Sequence, residues 1–167
     1  MDYVTHVFHE VFLHFNWHCH QSRPMIRPQI EPNLYAYIRD YCHKSKGVFF
    51  HGIGGTETHV HLVVQIEPFV RISELAQKLK GASSHEVNVQ FGRNALRWQR
   101  GYGVASFARK NLKAVVDYVQ NQKKHHRQGT TRKILEECGE KWGGARTGGN
   151  NRGYREAPLK RAREGKV

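Results

Sequence analysis

The chain has 167 residues, 38% of them hydrophobic, and 27 lysines and arginines against 14 acidic residues give a formal net charge of +13. That length suits one domain plus a tail, and the apolar fraction is enough for one core, which excludes a wholly disordered chain. The positive excess favours a polyanionic partner, and the lack of any run of eighteen apolar residues excludes a membrane-spanning helix. No strongly apolar face lined with lysines suggests a membrane surface either.

Cys19, Cys42 and Cys138 are scattered and odd in number. They form neither a disulfide framework nor a C-x-x-C knuckle, so a reducing cytosol is expected. The N-terminal apolar patch is interrupted by His6, His9, Glu10 and His14 with no basic run before it, so it does not read as a signal peptide.

Residues 4–18 are rich in Val, Phe and Trp and read as a long first strand. Glu31-Pro32-Asn33 opens a helix through about Lys44, with Leu34, Ile38, Tyr41 and Cys42 at helical spacing. Val48 to Ile53 is a second strand, Gly54 to Glu57 a turn, and Thr58 to Ile66 a third strand, so the two form an antiparallel hairpin. Ile72, Leu75, Ala76 and Leu79 make a helical stripe with Ser73 as its cap. Gly81 to Ser84 is expected to break that helix, and a separate helical piece spans about 84–91. Leu96 to Gln99 and Tyr102 to Phe107 read as extended segments. Asn111 to His126 is a helix whose core stripe is Leu112, Val115, Val116 and Val119. The order β-α-β-β-α-β-α predicts an α+β fold, a ferredoxin-like antiparallel sheet with an added C-terminal helix. Residues 1–127 are expected to form the domain. Residues 128–167 are expected to be a basic Gly/Arg-rich tail, flexible until a partner orders it.

In the third strand Val60, Leu62, Val64 and Ile66 share the core face, while His59 and His61 share the other. Two imidazoles so placed can hold one metal ion. On the last helix Tyr118 and Gln122 lie four residues apart and stack on one face, expected at the flank of the apolar stripe and not within it. A phenol is a potential nucleophile, and a carboxamide oxygen is a hard ligand that suits Mg2+ or Mn2+. Arg97, Arg100, Arg109, Lys110, Lys113, Lys123, Lys124 and Arg127 supply charge for a phosphate backbone. Trp98 and Tyr102 are candidates to stack on unpaired bases.

His59-Val60-His61 resembles the His-hydrophobic-His motif of the HUH nucleases, and Tyr118-x-x-x-Gln122 resembles the tyrosine helix of the single-tyrosine HUH transposases. This is the insertion sequence 200/605, IS200-like class. Leu79-Lys80-Gly81-Ala82-Ser83-Ser84 and Trp98-Gln99-Arg100-Gly101-Tyr102 are similar to two further segments of that family. Asn121-Gln122 with His125-His126 resembles the run after the tyrosine in the REP-associated tyrosine transposases. The match covers roughly residues 5–127, in order. The family often carries Asp before the first histidine; here Glu57-Thr58 stands instead, and Glu57 shares the strand face of His59 if the strand extends that far.

The resemblance implies a DNA transposase: a metal-dependent endonuclease and strand transferase acting on single-stranded, hairpin or palindromic DNA, including REP elements. It further implies Tyr118 as nucleophile through a 5′-phosphotyrosine, and a Mg2+ or Mn2+ ion held by His59, His61 and Gln122. A homodimer working in the prokaryotic cytoplasm on nucleoid DNA is implied too, with no membrane and no small-molecule substrate. The alternative is a non-catalytic single-stranded DNA or RNA binding module on the same scaffold. His125 and His126 read as solvated or DNA-facing residues, and His14, His18 and His20 as edge-strand packing.

Overall fold

The computed structural model describes residues 8–138. The start of the expected first strand and the Gly/Arg-rich end of the expected tail lie outside them. Strand β1 (Val11–His18) leads through a short 3-10 turn to helix α1 (Glu31–Lys44). Strands β2 (Val48–Gly55) and β3 (His59–Ile66) form the hairpin, and helix α2 (Ile72–Phe91) returns the chain to strand β4 (Gly103–Phe107). Helices α3 (Leu112–Gln120), α4 (Gln122–Gln128) and α5 (Lys133–Glu136) follow. The sheet is antiparallel throughout in the order β2-β3-β1-β4. Two β-α-β crossovers that interleave in this way make the expected ferredoxin-like α+β sheet.

Period-two alternation sends each central strand's large residues to one side. Leu13, Phe15 and Trp17 of β1 and Val60, Leu62, Val64 and Ile66 of β3 enter a core closed by Leu34, Ile38 and Cys42 of α1 and Leu75, Leu79 and Val87 of α2. The opposite face is also covered. Val63 meets Val115, Tyr118 and Val119 of α3 and Leu135 of α5 in a second, smaller cluster. A sheet buried on both faces leaves β3 almost wholly buried along its length.

Several elements differ from their sequence reading. β1 begins at Val11, and of the segment at 96–99 only Trp98 pairs, as a single bridge with Cys19. Helix α2 runs unbroken through Gly81–Ser84. A glycine in a helix costs only about 1 kcal/mol, and the Ser83 and Ser84 hydroxyls donate to the Lys80 carbonyl at 3.2 and 3.0 Å, which satisfies them inside the helix. Ser73 does not cap α2; the N-cap position is Arg71. The expected helix 111–126 is two helices, because Asn121 leaves helical geometry (φ −101°, ψ 20°) while its side-chain amide donates to the Asp117 carbonyl at 2.7 Å. Part of the expected tail, residues 128–138, is packed: Leu135 is 7% exposed, and the Asn16 side-chain amide donates to its carbonyl at 2.9 Å.

Gly54 lets α3 lie on the hairpin, since a Cβ there would run into the Val119 carbonyl oxygen. Gly81 has open space where a Cβ would go. Gly54→Ala is therefore expected to lower stability by about 1–3 kcal/mol, and Gly81→Ala to raise it by ~0.5–1 kcal/mol. Urea melts of both variants check the pair, and a tolerated Gly54→Ala would refute the close approach.

Candidate active site

Because Gly54 brings α3 close, Tyr118 and Gln122 hang over the His59/His61 face of β3. Neither sits on an exposed flank. Tyr118 is 2% exposed and packs among Val63, Val115, Val119 and Leu135, and Gln122 is fully buried. The expectation of a flanking tyrosine fails because α5 supplies a third wall that the helix periodicity of α3 does not reveal. The Gln122 Oε1 lies 3.5 Å from the His59 Nε2, and the Tyr118 and His61 rings are 6.4 Å apart and perpendicular. Phenol, carboxamide and both imidazoles therefore meet within one chain.

Each histidine of β3 is held by its far nitrogen. The His59 Nδ1 lies 3.0 Å from the Thr56 hydroxyl and 2.9 Å from the Thr58 hydroxyl. The His61 Nδ1 lies 2.8 Å from the Nε2 of His14. His14 pairs directly with Val63 across β1 and β3, so it meets His61 on the diagonal. If these Nδ1 atoms carry the protons and donate, both Nε2 lone pairs are free toward the centre, the arrangement that metal-ligating histidines need. His18 is opposite His59 and stacks on it with centroids 4.8 Å apart. The edge-strand reading of His14 and His18 is thus corrected: β1 is an inner strand, and both rings brace the β3 pair. His20 lies beyond the strand in the 3-10 turn. Thr58, where the family often has Asp, holds His59 through its hydroxyl. Glu57 precedes the strand, in the turn, so it does not share the strand face.

Two further residues enter the centre, and the sequence reading assigned neither. His126 of α4 lies against His59, the ring centroids 4.8 Å apart and the planes tilted by 55°. Glu136 of α5 places its Oε2 3.4 Å from the His61 Nε2, 3.5 Å from the His126 Nε2 and 3.7 Å from the His59 Nε2. Its Oε1 accepts a short hydrogen bond from the Tyr118 hydroxyl, which in turn accepts the Arg132 backbone N–H at 2.9 Å. The Arg132 guanidinium lies over the Tyr118 ring, and His125 packs beside that ring. His126, read as solvated or DNA-facing, is indeed exposed along one side, but its Nε2 also turns toward Glu136. The sequence signals for it were the resemblance of the Asn121-Gln122/His125-His126 run and its i+4 spacing from Gln122, which places both on one face of α4. Glu136 carried no signal, since it comes from a segment with no apolar period.

The predicted DNA-contacting residues fall into separate groups. Arg97, Trp98, Arg100 and Tyr102 line a cleft of about 650 Å³ between α2 and the following loop, whose lining includes no histidine. That loop is held by the Lys80 ammonium, which donates to the carbonyls of Gln99 (2.8 Å) and Gly101 (2.5 Å). Asn88 bonds both backbone groups of Leu96 at 2.9 Å. Trp98 is partly buried: its indole N–H donates to the Ser83 hydroxyl and its ring meets Trp17 edge-on. Lys123 and Arg127 line a pocket beside the histidines with Thr56, Glu57 and His126. Lys124 lines the neighbouring pocket over Gly54 and Gly55. Arg109 pairs with Glu10, Lys113 with Asp117 at 2.6 Å, and Lys123 with Glu31 at 2.6 Å. Lys110 stands exposed beside Arg109.

Burial, and then the charge of His61, pushes His14 down to about 3. Burial, followed by His61 and His18, pushes His59 to about 3. His61 and His18 are lowered too, chiefly by burial. Burial would raise Glu136, but its contacts with His61 and Tyr118 outweigh that and hold it below the usual carboxylate range. Tyr118 is raised, first by burial and then by the Glu136 carboxylate. At neutral pH His14, His18, His59 and His61 are therefore neutral, beside one carboxylate and an intact phenol. A buried neutral histidine takes up its proton in the unfolded chain below a pH of about 6.5 but resists it when folded. The resulting stability is complete above that pH and is lost as pH falls toward 3. Without metal, denaturant melts between pH 7.5 and 4 should show stability falling with acid, by up to ~1.4 kcal/mol per pH unit for each such histidine. His14→Gln should flatten the slope, and a slope unchanged in that variant would refute the assignment.

The sequence and the fold can now be set beside known proteins. Residues 7–122 match the family described as transposase IS200 like. The transposases for insertion sequence element IS200 of Salmonella typhimurium and Salmonella typhi are each 34% identical over 77 residues, 42% of this chain and 50% of theirs. The chain thus spans about half the length of the curated relatives it matches. Among solved structures, a putative transposase from Deinococcus radiodurans superposes with a TM-score of 0.58 at 19% identity, covering 73% of this chain and 98% of that one. A REP-associated tyrosine transposase bound to a REP hairpin superposes with a TM-score of 0.54 at 11% identity, covering 80% and 78%. Both confirm the α+β fold. With the family match spanning most of the described residues, the chain belongs to the IS200-like transposase family.

Proposed function

We propose that this protein cleaves and rejoins single-stranded DNA through a covalent 5′-phosphotyrosine on Tyr118, assisted by a divalent cation. What supports the reading is one convergence. The Tyr118 hydroxyl and the His59, His61 and His126 Nε2 atoms all face the same Glu136 carboxylate, with the Gln122 amide oxygen beside them. A module that only bound DNA would need no phenol buried against imidazoles.

The donor set fits a cation. The His61 Nε2 is buried without a hydrogen-bond partner, and the far nitrogens of both β3 histidines are already held. His59, His61 and Gln122 would hold the ion. It would polarise the scissile phosphate and offset the charge that builds there. The chain's own groups do the rest. Packing fixes the Tyr118 ring, and Glu136 Oε1 is in place to accept the phenolic proton. The phenolate oxygen forms a bond to phosphorus as the bond to the 3′ oxygen breaks. That oxygen leaves as a hydroxyl after taking up a proton. Attack by a free 3′-hydroxyl on the phosphotyrosine reverses these bond changes, so rejoining requires no external energy source.

The substrate would be hairpin or palindromic DNA at the ends of a mobile or REP element, the ligand class of the solved REP-associated relative. Lys123, Lys124 and Arg127 would meet phosphates next to the histidines. Arg97, Arg100, Trp98 and Tyr102 would take another part of the strand, and Arg109, Lys110 and Lys113 would add backbone charge. We place the domain in residues 1–127, with the packed segment that follows supplying Glu136, in a prokaryotic cytoplasm, as a homodimer. Among the described residues no helix is long and apolar enough to cross a membrane.

The reading is tested by incubating the full chain with single-stranded hairpin DNA and Mn2+ or Mg2+ and resolving the products on a denaturing gel. The wild type should give a covalent protein–DNA adduct, Tyr118→Phe none, and His61→Ala a yield at least ~100-fold lower. An adduct persisting in Tyr118→Phe, or no wild-type adduct across varied hairpins and flanks, would leave a binding module as the better account.

A further inference from the structure

We propose that Glu136 and His126 are ligands to the cation that His59 and His61 begin to hold, so that the C-terminal segment closes the site. We infer further that the completed site takes Mn2+, Co2+ or Zn2+ in preference to Mg2+. This deepens the metal-dependent reading above and rests on it.

The donor atoms surround a common centre. Glu136 Oε2 stands 3.4–3.7 Å from three imidazole nitrogens, and the buried His61 Nε2 has no hydrogen-bond partner. A buried nitrogen left unpaired costs about 1–3 kcal/mol, a penalty that a shared cation removes. The ligand atoms of His59, His126 and Glu136 all lie within 4.8 Å of one another. Atoms about 2.1 Å from a common ion can lie at most ~4.2 Å apart, so a small inward shift suffices.

Contacts independent of the carboxylate bring Glu136 there. Leu135 is anchored in the second cluster, and its carbonyl accepts from Asn16. The Glu137 carbonyl, two residues on, lies against Gly103, where a Cβ would collide with it and with the Asn16 side chain. The Arg132 N–H bonds the Tyr118 hydroxyl. Four docking points on β1, β4 and α3 hold the segment, so a free tail has not simply come to rest on the histidines.

Ligand chemistry sets the preference among ions. Mg2+ favours oxygen ligands and retained water, whereas imidazole suits transition metals. Three imidazoles and a carboxylate make a nitrogen-rich site. His59, His61 and Gln122 alone would discriminate less. Closure by Glu136 also links two events: an ion that binds Glu136 must hold α5 in place, and loss of α5 must weaken the ion by the same factor.

Calorimetric titration of the full chain with MnCl2 and with MgCl2, without DNA, tests the ligand set. Hydrogen exchange over residues 130–138 tests the linkage. Glu136→Ala and His126→Ala should each weaken Mn2+ by at least about tenfold. His126→Ala should narrow the gap between Mn2+ and Mg2+, and Glu137→Gln should match wild type. Mn2+ should slow exchange across the segment in wild type but not in Glu136→Ala. The proposal is overturned if Glu136→Ala, folded by circular dichroism, binds Mn2+ as tightly as wild type or more tightly. Mn2+ speeding exchange in the segment would overturn it equally, because the carboxylate would then be occupying the ion's place. His61→Ala losing Mn2+ while Glu136→Ala keeps it sinks this inference alone. A wild-type chain that binds no divalent ion sinks the metal-dependent reading with it.

Discussion

Everything at the candidate site depends on β3 being buried on both faces. Its apolar side chains fill the main core, and its histidine face is roofed by α3, α4 and α5. A charged imidazole there would lose its hydration, so burial keeps the ring neutral and demands a partner for each nitrogen. β1 and the turn between β2 and β3 answer that demand. His14 meets the far nitrogen of His61, Thr56 and Thr58 meet that of His59, and the near nitrogens are left facing inward. The same burial that endangers stability in acid makes the histidines available as neutral donors at neutral pH.

The local pattern was legible where it depended only on neighbours in sequence. Alternation in Thr58–Ile66 gave the core face and the two histidines on the other, and the α3 stripe gave Val115 and Val119. The element order gave the sheet. What the sequence hid was non-local. The tie between His14 and His61 depends on the pairing of β1 with β3, and a one-residue slip would have turned His14 to the other face. Glycine and serine at 81–84 read as a break, yet they cost the helix little once its hydroxyls bond its own carbonyls and its apolar face is packed. Glu136 could not have been found by period. A four-residue helix has no stripe, and only the docking of Leu135 and the space at Gly103 bring the carboxylate in.

Charge is arranged in two groups. Lys123 and Arg127 border the histidine centre directly, while the cleft carrying Arg97, Arg100, Trp98 and Tyr102 is formed by α2 and its loop. Phosphate contacts position a strand without reading it, and aromatic stacking tolerates any base. Lys80, Ser83 and Asn88 each tie a point of the cleft's loop to α2. A cleft tied in this way and a basic rim joined through one small domain could set a fixed length of strand between a held region and the tyrosine.

Tyr118 is at once a core residue and the proposed nucleophile. Its ring contributes to the packing that seats α3 and α5, and its hydroxyl is held between Glu136 and the Arg132 N–H. A nucleophile fixed in this way cannot search for its phosphate; the strand must come to it, and the hydroxyl must give up its hydrogen bonds as it reacts. The histidines it faces belong to its own chain, so assembly of the centre does not require a tyrosine from a second copy. Within one copy the phenol, the carboxamide, the carboxylate and the imidazoles are already gathered over β3.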